Sequence, residues 1–106
     1  MSAPTPAIKP LPAPVVRTCE LFRLLAGNEL HGLAPAQIAK ALKVSPSWVS
    51  ITLPGLAELG FLERIEASGR WRLGPAFVRI AHTVSANLAA AKRDLDNLQQ
   101  RYSTPL

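Results

Sequence analysis

Of the 106 residues, one is cysteine, two are histidine and seven are acidic. A lone Cys19 closes no intramolecular disulfide, which fits a reducing, cytoplasmic setting. His31 and His82 lie far apart in sequence and Cys19 has no companion, so no metal cluster is expected. There is no glycine-rich phosphate loop. Asp94 and Asp96 stand two apart on an expected helix and point to different faces, so they make no acid–base pair. No enzyme activity, cofactor or small-molecule effector is expected. No apolar run approaches the roughly 20 residues of a membrane span. The N-terminus offers Lys9 as its one charge and lacks the apolar core of a signal peptide. The expectation is a soluble, cytoplasmic protein with no membrane partner.

What is present is basic. Twelve Lys and Arg against seven Asp and Glu give a net charge of +5, a balance that suits a polyanionic partner. The basic density peaks at Arg64, Arg70, Arg72 and Arg79. The length allows one domain, and with 48% hydrophobic residues it can build a core.

Five of the ten prolines fall within residues 1–14, which excludes a helix there and suggests a flexible arm, either passive or tracking a partner. A first helix is expected from Pro14. Val15, Val16, Cys19, Phe22 and Leu25 recur at spacings of three and four, with Leu21 and Leu24 widening the stripe. This stripe places Cys19 in the core. Gly27 and Asn28 stop the helix. Gly32 and Leu33 suit a brief strand, and a second helix follows over 35–43. Ser45-Pro46 opens a third helix with a side-chain cap and a proline whose missing N–H costs nothing. Pro54 should kink or break this helix, leaving 55–60 as a separate turn. The segments FLERI (61–65) and WRL (71–73), joined by ASG, read as a hairpin. From Ala76 to about Tyr102 nothing interrupts a helix.

The order helix, helix, turn, helix, hairpin, helix predicts a mainly α fold with a small β-hairpin wing: a winged helix-turn-helix over 15–75, followed by a long C-terminal helix over 76–106. Ala39 suits the close crossing of the two motif helices and Val44 plugs their turn. Val49, Leu53 and Leu56 anchor the third helix. Its first turns would then enter a DNA major groove, presenting Ser45, Pro46, Ser47, Ser50, Ile51 and Thr52. Serines bond phosphates or base edges, and Ile51 suits a thymine methyl. Trp48 either stacks on the DNA backbone or packs inward, whereas Trp71 reads as core. The loop EASGRWR offers Arg70 and Arg72 to phosphates, with Arg64 beside them. The alternatives are an ordinary helical hairpin and a solvated turn.

The stretch from about 16 to 81, above all LGFLERI and SGRWRLGPAF, resembles the DNA-binding domain of isocitrate-lyase-regulator (IclR-type) transcription factors. The resemblance implies a recognition segment at 45–52 and wing contacts from Arg70 and Arg72. The chain departs from that pattern where Ile51 replaces a frequent arginine, where Pro54 and Gly55 enter the third helix, and where it ends as the family's effector-binding domain would begin.

In the last helix Phe77, Ala81, Val84, Leu88, Ala91, Leu95, Leu98 and Tyr102 follow alternating spacings of four and three, a heptad pattern. It predicts either a homodimer seam or a helix folded back on helix one. The preferred reading is a homodimeric, sequence-specific regulator of transcription, a repressor or activator binding double-stranded DNA, of the short kind that suits a bacterial or phage setting. The alternatives are a module that binds a protein partner and a protein that coats DNA without base preference.

Overall fold

The computed structural model describes residues 7–105. Of the expected arm, residues 1–6 lie outside the described residues, and 7–12 are exposed and neither helix nor strand. The elements follow in the order α1 (Ala13–Leu25), α2 (Pro35–Leu42), α3 (Pro46–Glu58), β1 (Leu62–Ile65), β2 (Arg70–Leu73) and α4 (Pro75–Ser103). This is a mainly helical, winged-helix-like arrangement, with a two-stranded antiparallel hairpin between helices and a long C-terminal helix. No helix among the described residues is long and apolar enough to cross a membrane.

All four helices among the described residues carry proline in their first turn, where a missing N–H removes no helical bond and the fixed φ suits the start. The core is built from Leu21, Leu25, Ile38, Val49, Leu53, Leu62 and Trp71, one or two residues from each element up to β2. Leu21 and Leu25 stand four apart on α1 and are fully buried.

That choice of face overturns the expectation for Cys19, which is exposed. It lies two residues from Leu21, about 200° around the helix. The apolar stripe was wider than the face that packs, and Val15 and Val16 at its far edge are also exposed.

The expected interruption at Pro54 is also corrected, because α3 runs unbroken through it to Glu58. Ser50 and Pro54 are both exposed, so the Ser50 carbonyl deprived of its donor can be met by water. Leu53 is buried and Leu56 and Ala57 pack on the core, holding the helix on both sides of the proline.

The brief strand expected at Gly32-Leu33 shrinks to one bridge. Leu33 and Trp71 exchange backbone hydrogen bonds of 2.8 and 2.9 Å. Gly32 has φ +67, and a Cβ there would stand 2.6 Å from the Trp71 carbonyl oxygen. Gly74 also requires glycine, since a Cβ would run into the carbonyl oxygens of Gly60 and Leu62.

α4 leaves the folded unit after its first turns. Phe77 joins Phe22 and Phe61, with ring centroids 4.6 and 5.2 Å away in edge-to-face geometry. These contacts join α1, the residue before β1 and α4. Beyond them no described residue of α4 is buried, so α4 is not folded back on α1. The molecule accordingly spans 70 Å in its longest dimension.

Candidate nucleic-acid interface

α2 and α3 are joined by a three-residue turn, 43–45. Lys43 takes the left-handed conformation (φ 55, ψ 46) and its N–H bonds back to the end of α2. The Val44 N–H reaches the Ala39 carbonyl at 3.1 Å, and Val44 packs against the core. Ser45 then caps α3, its Oγ accepting the Trp48 N–H at 3.1 Å. No acidic residue occupies the first turn of α3, so the positive end of its dipole is not neutralised locally.

Ser47, Ser50, Ile51 and Pro54 are exposed and recur at three- and four-residue spacing, which puts them on one face of α3. Ile51 is 75% exposed. The Ser50 hydroxyl donates to the Ser47 carbonyl at 3.1 Å, leaving its lone pairs outward. Ser45 and Pro46 are exposed at the start of the helix, while Thr52 is half-buried at the margin of this face. Trp48 is half-buried and packs against the core. Trp71 is core, 7% exposed.

The hairpin pairs Leu62 with Leu73, Glu63 with Arg72, Arg64 with Trp71 and Ile65 with Arg70. Its arginines have partners within the chain. Arg72 Nε donates to Glu63 Oε2 at 2.7 Å and Nη1 to the Glu29 carbonyl at 3.3 Å. Arg70 Nε donates to the Gly32 carbonyl at 3.3 Å and Nη2 to Gln37 Oε1 at 3.1 Å. Arg64 pairs with Glu66 at 3.2 Å and keeps about half of its side-chain surface exposed. Glu29, on the loop that Arg72 reaches, has its carboxyl pKa lowered chiefly by the Gly27 N–H at 2.7 Å, and also by its own N–H.

Three features of this surface were not drawn from the sequence. Gln37 Oε1 also accepts the Ala34 N–H at 2.8 Å, so one amide oxygen serves both the start of α2 and the wing. Lys43 is an exposed cation in the turn itself; its place after Leu42, where glycine is usual, was the available signal. A cleft of about 430 Å³ opens where α2, α3 and the hairpin meet, lined by Pro35, Pro46, Pro54, Arg64 and Trp71 among others. No sequence pattern announces it, because its walls come from three separate elements.

Comparison with known proteins gives no matching family model and no matching curated protein.

Proposed function

We propose that the chain is a sequence-specific DNA-binding regulator of transcription that acts as a homodimer on a two-fold operator. The observation that carries this reading is the exposed face of α3. A capped helix with an open, positively polarised N-terminus presents Ser47, Ser50 and Ile51 outward. A short turn holds it to α2, and a hairpin lies beside it. A helix so mounted can place its first turns in a major groove. Phosphates would be met by the Ser47 N–H, the first-turn donor left over once Pro46 lacks one and Trp48 and Val49 bond to Ser45, and by Lys43 and Arg64. The paired Arg70 and Arg72 support this surface first by holding the hairpin in place, and reach phosphates with the nitrogens left over. The wing sequence SGRWRLGPAF supports IclR-type ancestry as part of the proposal. A cytoplasmic, bacterial or phage setting goes with the function.

A second reading, a module that binds a protein, is favoured by one observation: the cleft is walled by three prolines and a tryptophan, an apolar lining that phosphate does not seek. Double substitution of Ser47 and Ser50 by alanine, measured by fluorescence anisotropy on duplex DNA, separates the two. Regulation of DNA predicts a loss of at least tenfold on the preferred duplex with binding to random duplex retained. Protein recognition predicts that neither duplex binds appreciably before or after the change.

A further inference from the structure

We propose that a second copy of this chain covers the free face of α4, with the two helices antiparallel and fully overlapped about a two-fold axis between residues 89 and 90. It rests on the dimeric reading above and fixes which way the two copies face.

The face itself is exposed. Val84, Leu88, Leu95, Leu98 and Tyr102 are between 44% and 82% accessible, and with Ala81 and Ala91 they keep one stripe along the helix. Among the described residues nothing of the chain itself lies on it. Phe77 is already used by the folded unit, so the free seam begins at Ala81.

Side-chain size sets the direction. In a parallel pair each residue meets its own copy, so Ala81 faces Ala81 and Ala91 faces Ala91. Two of the layers are then under-filled, and under-filled layers are costly. In the antiparallel register Ala81 faces Leu98 of the second copy, Leu88 faces Ala91 and Val84 faces Leu95. Every small residue meets a large one, and two-fold symmetry repeats each match. Tyr102, the most exposed residue of the stripe, falls beside Phe77 of the second copy, at the edge of its aromatic trio.

Charge agrees with size. Lys92, Arg93, Asp94, Asp96 and Arg101 all lie in the second half of α4, whereas residues 80–91 carry no charged side chain apart from the titratable His82. Antiparallel overlap lays residues 92–99 of one copy over residues 80–87 of the other and opposes the two helix dipoles, while Arg79, two residues from Ala81 and so about 200° around the helix, lies off the seam. Asp94 then flanks Asn87, and Lys92 flanks Ser85. The stem of Arg101 can cover Ile80, which is 53% exposed. Area favours full overlap. The strip from Phe77 to Tyr102, about 38 Å long and about 10–12 Å wide, is roughly 400 Å² in projection against the roughly 800 Å² that each partner of a standard interface buries, so a shorter overlap would leave still less contact.

The register has a consequence for DNA. The two Pro75 ends stand about 43 Å apart, and the folded units lie beyond them. This exceeds the roughly 34–36 Å of one helical turn, so half-sites are expected more than one turn apart.

The test uses the full chain with Cys19→Ser, labelled with nitroxide at Ala89→Cys or Gln100→Cys, both exposed, and needs no DNA. Sedimentation should show a dimer. The axial offset between labels should be near zero at residue 89 and about 30 Å at residue 100. The measured distance at residue 100 should therefore exceed that at residue 89 by more than about 10 Å. Equal distances at the two sites mean a parallel pair and overturn the proposal, as does a monomer with no dipolar coupling. Leu88→Asp should abolish the dimer while the helical circular-dichroism signal of the folded unit persists. A dimer that survives it also overturns the proposal. A dimer that binds no DNA leaves this pairing intact and removes only the regulatory reading.

Discussion

Arg70 Nη2 donates to Gln37 Oε1 at 3.1 Å, joining the hairpin to the first turn of α2. Gln37 Oε1 simultaneously holds the Ala34 N–H, so a wing arginine and a helix start share one acceptor. Arg70→Ala should therefore lower stability by about 1–2 kcal/mol in addition to any effect on binding. Gln37→Ala should reproduce part of that loss. A double-mutant cycle read by urea denaturation should give a coupling of about 0.5–1 kcal/mol. An unchanged midpoint for Arg70→Ala would mean that the contact contributes nothing to folding.

Gly74 separates β2 from α4 where the Gly60 and Leu62 carbonyls close in. Gly74→Ala should cost about 3 kcal/mol or more, because the atoms that must yield are backbone. Gly32→Ala should behave alike, with the added strain of a positive φ. Thermal denaturation checks both. A midpoint within a degree or two of the parent for Gly74→Ala would show that the β2–α4 junction relaxes without cost.

Lys43 holds φ 55 without being glycine. Left-handed backbone costs an ordinary residue about 1–2 kcal/mol, and glycine gives back part of this as unfolded-chain entropy. Lys43→Gly should raise stability by up to about 1 kcal/mol. The same change removes an exposed cation and should weaken binding to any duplex about equally, since a phosphate contact carries no base information.

Pro54 interrupts the hydrogen bonding of α3 without ending the helix. Pro54→Ala returns a donor to the Ser50 carbonyl and should stabilise the protein by about 1–3 kcal/mol. Destabilisation instead would show that the proline ring contributes packing on the cleft side that exceeds the missing bond.

Much of the fold was legible in the sequence because local signals agreed with one another. Prolines marked helix starts, Ser45 marked a cap, and ASG marked a turn between two extended segments. The misreadings occurred where tertiary contacts chose among local options. On α1 the stripe allowed two faces, and contact with α2 and the hairpin selected Leu21 and Leu25 over Cys19. At Pro54 the local rule predicted a break, but anchoring by Leu53 and Leu56 and solvent access at Ser50 removed the need for one. The candidate site was legible as a segment. Its support was not, because the Arg70–Gln37 and Arg72–Glu29 contacts join residues 33 and 43 positions apart.

The central claim is tested most directly by selecting bound fragments from a random duplex pool with the purified protein. Affinity for the winner and for a scrambled control is then measured across a salt series. The account predicts an inverted repeat with half-sites more than one turn apart, bound at least about a hundredfold more tightly than the control. Specific sites typically exceed non-specific ones by about a thousandfold or more. That preference should fall on Ser47→Ala. Tight binding at low salt with no enriched sequence would contradict base recognition and leave a protein that coats DNA. No binding to any duplex would contradict the account altogether and direct attention to a protein partner for the face of α3.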